Sequence, residues 1–154
     1  MARVYLAEER KHRRAVAIKV LLPELAASLG PERFLREIGI VARLAHPHVV
    51  PLIDSGEADG FLYYVTPYLQ GGSLRDRLLK QAPLTADEAI RIAREVGAAL
   101  DHAHRAGFVH RDVKPENILF ADGMALLTDF GVARACDLVG SPPRDGASRT
   151  EVTT

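Results

Sequence analysis

Asp112, Asn117 and Asp129 are the residues whose types and spacing best suit chemistry. They belong to His110-Arg111-Asp112-Val113-Lys114-Pro115-Glu116-Asn117 and, seventeen residues after Asp112, to Asp129-Phe130-Gly131. Between them Asp122-Gly123 is a strong signal for a two-residue hairpin turn. Such a turn pairs Ala121 with Met124, and the register continues until Asn117 stands opposite Thr128. Asp129 then becomes a diagonal neighbour of Asn117. An amide oxygen and a carboxylate at one strand end suit Mg2+, a hard cation that prefers oxygen ligands and phosphate. Asp112 lies five residues before Asn117, in the loop that enters the hairpin, where it can face a hydroxyl nucleophile. Lys114 adds a positive charge where a phosphate needs one.

The elements that must position these groups can be traced along the chain. Residues 4–7 and 15–21 read as strands separated by a charged turn. Gly30-Pro31 opens a helical segment in which Phe34, Ile38, Val41 and Leu44 recur at helical spacing. Residues 49–58 and 61–69 read as a hairpin across Asp59-Gly60. Thr85 and Glu88 form a capping box that starts a further helix, with Ala89, Ile92, Ala93, Val96, Leu100 and Ala103 as its apolar stripe and Gly107 at its C-terminal end. Residues 117–121 and 124–130 read as the strands joined at Asp122-Gly123. Strands and one helix come first, then mainly helix, which predicts an α+β architecture of two unequal parts. The break falls near residues 69–73, where Gln70-Gly71-Gly72 reads as a flexible joint.

His-Arg-Asp-x-Lys-Pro-x-Asn followed by Asp-Phe-Gly resembles the catalytic core of Ser/Thr protein kinases. Ala15-Val16-Ala17-Ile18-Lys19 resembles the kinase strand that bears a phosphate-binding lysine. Glu37, eighteen residues on, matches the helix glutamate that pairs with it. His46-Pro47-His48-Val49-Val50 and residues 62–68 resemble the segment after that helix and the strand and hinge that receive adenine. The wording is closest to bacterial members, and the resemblance covers nearly the whole chain.

The resemblance implies a protein-kinase-like two-lobed fold, incomplete, in one partial domain over residues 1–154. Residues 1–69 would be the N-lobe without its glycine-rich loop. Residues 70–139 would begin the C-lobe with the catalytic loop and metal-binding hairpin, and residues 140–154 would be a truncated activation segment. The implied activity is transfer of the ATP γ-phosphoryl group to Ser or Thr hydroxyls of a protein substrate. The alternative is a non-catalytic fragment or pseudokinase that binds nucleotide or a partner. Asp112 would orient the hydroxyl and take its proton, and Lys114 would steady the phosphate. Asn117 and Asp129 would hold Mg2+. Lys19 would bind ATP phosphates, positioned by Glu37. Val4 and Ala17 would cover the adenine, Thr66 would be the gatekeeper, and the backbone of Pro67, Tyr68 and Leu69 would receive the base. Arg111 resembles the arginine that meets a phosphorylated activation loop, and Val41, His110 and Phe130 match a stack that joins the lobes. The glycine-rich loop and the Ala-Pro-Glu segment are not in the sequence, and Pro67 replaces the usual hinge glutamate. Weak or absent turnover by this chain alone is therefore expected.

Composition narrows the remaining classes. Lys plus Arg and Asp plus Glu are both 20, so zero net charge gives no electrostatic reason for nucleic-acid or anionic-membrane binding. No apolar run has the length of a membrane span, and one cysteine, Cys136, excludes an intrachain disulfide. A cytoplasmic setting is expected. The pairs His46/His48 and His102/His104 invite a zinc hypothesis, but residues two apart on a helix point in different directions. Ser148, Thr150, Thr153 and Thr154 are candidate phosphosites with Arg111 as partner.

Overall fold

Small and branched residues alternate through Ala15-Val16-Ala17-Ile18, in the sheet that makes up the first half of the structure. The computed structural model describes residues 2–23, 26, 30–81 and 83–130. Cys136, the four candidate phosphosites and all of residues 131–154 lie outside the described residues. Strands β1 (Ala2–Glu9), β2 (Arg14–Leu21), β3 (Asp54–Ala58) and β4 (Phe61–Pro67) form one antiparallel sheet in the order β1-β2-β4-β3. Helix α1 (Pro31–Val41) crosses it. Gly30 caps this helix at φ 76 with Pro31 in the first turn, the conformation for which the Gly-Pro pair is suited. Phe34 and Ile38 point from α1 into the sheet, where they are buried with Leu21, Leu62 and Tyr64.

The second half gathers around a longer helix. Helix α2 (Leu74–Gln81) and helix α3 (Ala86–Arg105) precede a 3-10 turn at Pro115–Asn117 and the hairpin of β5 (Ile118–Ala121) and β6 (Met124–Leu127). The Thr85 side chain accepts from the Glu88 backbone while Glu88 reaches back to Thr85, so the expected capping box starts α3. Ile92, Val96, Ala99 and Ala103 are buried against the hairpin, whereas Ala89 and Ala93 are exposed. At the far end Gly107 adopts φ 77, and Phe108 N–H reaches back to the Ala103 carbonyl, closing the helix.

Both Asp-Gly hairpins take the turn their sequences predict. Asp59 and Gly60 have φ 50 and 77, and Asp122 and Gly123 have φ 48 and 81. The chain departs from the sequence reading elsewhere. The strand expected over residues 49–58 starts only at Asp54, since Pro51 has no N–H for a ladder. Val49 and Val50 pair instead with Leu127, and Leu127 N–H bonds the His48 carbonyl. Helix α2 was not expected from the sequence. Its signal was Ser73-x-x-Asp76: the Asp76 carboxylate accepts from Ser73 N–H and Ser73 Oγ accepts from Asp76 N–H.

Gln70-Gly71-Gly72, read from sequence as a joint, is a close approach. A Cβ on Gly71 would lie 2.4 Å from the Phe120 carbonyl oxygen, and Gly72 has φ 68. Gly71 N–H donates to Phe120 O, and Phe120 N–H donates to Gly72 O. The hairpin is thus paired along one edge by residues 71–73 and along the other by residues 48–50, which leaves few backbone groups of a short hairpin unsatisfied. Among the described residues no helix is long and apolar enough to cross a membrane. Gly71→Ala should therefore cost roughly 2 kcal/mol of stability through forced overpacking. Urea unfolding checks this, and a midpoint equal to wild type would contradict the close-approach role.

A second consequence concerns pH. His46 stacks on His102 at 5.1 Å between ring centroids and lies 5.6 Å from the His48 ring. Its pKa is lowered from 6.5, first by burial and then by the neighbouring imidazoles His102 and His48. The unfolded chain therefore takes up the proton first, so this site favours folding above pH 6.5 and the benefit is lost as pH falls through and below that value. Denaturant midpoints should fall between about pH 7 and about pH 5.5, and His46→Asn should flatten the slope. A wild-type midpoint that does not change over this window would contradict the assignment.

Candidate active site

The hairpin register brings together the residues that the resemblance placed in a catalytic loop. Ala121 pairs with Met124 and Ile118 with Leu127, and Thr128 N–H donates to the Asn117 carbonyl at 2.9 Å. Asn117 is 4% exposed, and its Nδ2 donates to the Asp112 carbonyl at 2.8 Å and to Asp112 Oδ2 at 3.1 Å. Both contacts are acceptors, so the amino end of the amide is turned to Asp112 and Oδ1 to the other side. Lys114 Nζ donates to Asp112 Oδ2 at 2.7 Å. This contact is the main reason that the Asp112 carboxyl is held below its usual range, and the same contact raises the Lys114 pKa.

His110 ties this loop to the strand that leads to Asp129. Its ring is 1% exposed, donates from Nε2 to the Thr128 carbonyl at 2.9 Å and accepts Asp112 N–H at Nδ1 at 3.2 Å. One nitrogen donates and the other accepts, which is the pattern of a neutral imidazole. Burial lowers its pKa and keeps that form. The ring packs on Phe130 at 4.6 Å between centroids, and Val41 of α1 packs against the core that contains Phe130. Arg111, between His110 and Asp112, holds φ 64. A left-handed conformation at a non-glycine residue costs on the order of 1–2 kcal/mol, and the two His110 hydrogen bonds bracket it.

Asp129 stands where the two halves of the structure meet. It too has a positive φ, 63. Its Oδ2 is bound by Lys19 Nζ from β2. Its Oδ1 accepts from the Tyr64 hydroxyl of β4 at 2.8 Å and from Thr128 Oγ1 at 3.3 Å. The resemblance implied that Lys19 would pair with Glu37. That pair is not formed: Glu37 is held by Arg33 at 3.0 Å, one turn earlier on α1, and Lys19 is held by Asp129. The local pair at i, i+4 spacing competes for Glu37.

A cavity of about 360 Å³ opens between the sheet and the hairpin. Val4, Ala17, Lys19, Thr66, Tyr68 and Leu69 line it, together with Pro67 and Asp129. Every residue assigned from sequence to nucleotide binding thus meets there except Glu37. Asp112, Lys114 and Asn117 form their own cluster beside it, through Glu116 and Thr128, which also line the cavity. Apolar walls with a few convergent polar groups at one end suit a flat base carrying phosphates. A larger cleft of about 690 Å³ lies over the other face of the sheet, against Ile18, Val20 and Tyr63. It contains none of the candidate residues, so its size does not make it the chemical site. Among the described residues no group of three or more His, Cys, Asp or Glu could hold a metal ion. Sequence reading missed Tyr64; the signal was its place directly opposite Lys19 in the β2–β4 register.

Comparison with known proteins agrees with this geometry. The protein kinase domain family matches residues 1–151. The serine/threonine-protein kinase PknE of Mycobacterium tuberculosis is 46% identical over 137 residues, which is 88% of this chain and 24% of PknE. The crystal structure of the Mycobacterium tuberculosis PknI kinase domain matches with a TM-score of 0.75 at 38% identity, covering 86% of this chain and 55% of that one. Rad53 1-466 in complex with AMP-PNP matches with a TM-score of 0.77 at 29% identity, over 85% of this chain and 35% of that one. The chain thus spans about a quarter of the length of its curated relative. Family membership implies use of ATP and a divalent cation. The fold is protein-kinase-like and corresponds to part of a kinase domain, and the chain belongs to the protein kinase family, with bacterial serine/threonine kinases among its relatives.

Proposed function

We propose that this chain carries the nucleotide site and catalytic loop of a protein serine/threonine kinase, which transfers the γ-phosphoryl group of ATP to Ser or Thr hydroxyls of a protein substrate. One observation carries the reading: a cavity lined by Val4, Ala17, Lys19 and Asp129 adjoins the bonded cluster of Asp112, Lys114 and Asn117. The AMP-PNP bound to Rad53, a structural relative, supports the nucleotide assignment. The reading keeps the division near residue 69, with one buried core around Phe34 and Tyr64 and another around Phe120 and Phe130. A cytoplasmic setting, where ATP is available, belongs to the same reading.

The chain's own groups have distinct tasks. Val4 and Ala17 offer apolar contact to the base, and the backbone of residues 67–69 offers it hydrogen bonds. Lys19 supplies positive charge to the phosphates. Asn117 Oδ1 and the Asp129 carboxylate are hard oxygen donors that suit Mg2+, because Asn117 Nδ2 is already committed to Asp112. Bound there, Mg2+ would neutralise charge on the phosphates. Asp112, like any aspartate, is an anion at neutral pH, and its contact with Lys114 holds its pKa lower still. It is therefore a weak base. It accepts a hydrogen bond from the substrate hydroxyl and takes the proton once bonding to phosphorus has made that hydroxyl acidic. Lys114 is bonded to Asp112 and, in this reading, would steady the moving phosphate.

A second reading, nucleotide or partner binding without transfer, is favoured by one feature. Lys19 is engaged by Asp129 while Glu37 is engaged by Arg33, so the contact expected to position Lys19 is not in place. Two measurements separate the readings: Mg·ATP binding by calorimetry and transfer of radiolabelled phosphate to a generic protein substrate. The kinase reading predicts that Asp112→Asn lowers transfer at least about a hundredfold and leaves Mg·ATP affinity within about threefold, whereas Lys19→Met weakens the binding itself. Transfer unaffected by Asp112→Asn would remove Asp112 from its role. Weak turnover is expected of this chain alone, so any transfer that Asp112→Asn abolishes selects the kinase reading, and Mg·ATP binding without such transfer is what the second reading predicts.

A further inference from the structure

The mechanism above leaves one buried polar group without a task. Tyr64 is 7% exposed, and its hydroxyl does not meet the catalytic loop but the Asp129 carboxylate. Its position follows from the sheet. Tyr64 is paired directly with Lys19 across β4 and β2, so both side chains leave the sheet on the same face. Each takes one oxygen: Lys19 binds Oδ2 and Tyr64 donates to Oδ1 at 2.8 Å. The carboxylate therefore belongs to the hairpin segment by chain but is anchored by the sheet.

The two anchors differ in kind. Lys19 sits on a flexible stem and is partly exposed in the nucleotide cavity, so phosphates can draw it away from Oδ2. The Tyr64 ring is packed among Phe34, Ile38 and Leu62, which fixes the hydroxyl whether or not nucleotide is bound. A carboxylate has no proton to give, so the Tyr64 hydroxyl can only donate in this contact. Asp129 needs such an anchor, because its backbone is in the left-handed region and its remaining partner, Thr128 Oγ1, is 3.3 Å away. Resting on the kinase reading, we propose that Tyr64 is a positioning residue whose hydroxyl holds the Asp129 carboxylate in place for the metal–nucleotide complex while Lys19 moves to the phosphates. Helix α1 then reaches Asp129 through Phe34, Ile38 and Tyr64, a route that does not pass through Glu37.

The test is ATP binding by calorimetry across a Mg2+ titration and again in excess EDTA, for wild type, Tyr64→Phe, Asp129→Asn and Tyr63→Phe. Tyr63 lies on the opposite face of the same strand and serves as a control for loss of a β4 hydroxyl. Tyr64→Phe should raise the Mg2+ concentration for half-maximal enhancement of ATP binding about tenfold, the size expected for loss of one hydrogen bond to a charged group. Its affinity for ATP in EDTA should be unchanged, and Tyr63→Phe should match wild type throughout. A Tyr64→Phe requirement equal to wild type, with Asp129→Asn abolishing the Mg2+ effect, overturns the positioning role and leaves the kinase reading intact. Equal loss of affinity with and without Mg2+ also overturns it, since that is the mark of a packing defect. Persistence of the Mg2+ effect in Asp129→Asn, or its absence from wild type, overturns the kinase reading and the positioning role with it.

Discussion

The arrangement depends on the register of one short hairpin. The reversal at Asp122 and Gly123, with φ 48 and 81, lets no intermediate pairing form, because a shift by one residue would turn every side chain of β5 and β6 to the wrong face. Phe120, Ala125 and Leu127 are fully buried in that register. The same register sets Thr128 N–H on the Asn117 carbonyl and leaves Thr128 O for the His110 ring. A packing constraint thus determines where an amide, a carboxylate and the catalytic-loop aspartate stand. The hydrophobic core supplies the precision, and the polar groups at its edge use it.

Asp129 extends this order to the sheet. Its carboxylate is held by Lys19 and Tyr64, which are separated from it by 110 and 65 positions in the chain. The ionic contact is partly buried, at about a fifth exposed on each side. In such surroundings a charge is costly to leave without a partner. The pairing of Lys19 with Asp129, and of Glu37 with Arg33, describes a state in which the lysine is committed to the hairpin. In the proposed reading, exchange of that lysine to phosphate would be a competition between two anions for one ammonium group. Arg111 and Asp129 both hold left-handed backbone, on either side of this contact. Strain at such places is retained where the surrounding contacts outweigh it.

Much of this was legible in the sequence where local chemistry decides structure. Asp59-Gly60, Asp122-Gly123, Gly30-Pro31 and the Thr85–Glu88 box each took the conformation that their residues favour. What depended on distant partners was not legible. Residues 49–53 are rich in strand-forming types, yet Pro51 and the pairing of Val49 and Val50 with Leu127 remove them from β3. Helix α2 is short and polar, and its Ser73-x-x-Asp76 cap was its only clear mark. Gly71 looked like freedom and serves contact, because the Phe120 backbone occupies the space a side chain would need. The residues that the resemblance assigned to nucleotide binding meet in one cavity except Glu37, but the partner of Lys19 was set by which anion lay within reach, and Tyr64 entered through a cross-strand pairing no local pattern reveals.

If Asn117 and Asp129 face one metal–nucleotide complex beside Asp112, crystals grown with Mn2+ and a non-hydrolysable ATP analogue should show it by anomalous diffraction. The expected result is a Mn2+ peak ligated by Asn117 Oδ1, the Asp129 carboxylate and phosphate oxygens, with Lys19 drawn from Asp129 to the phosphates. A peak that lies away from either residue, or nucleotide bound outside the cavity between Val4 and Asp129, would contradict it.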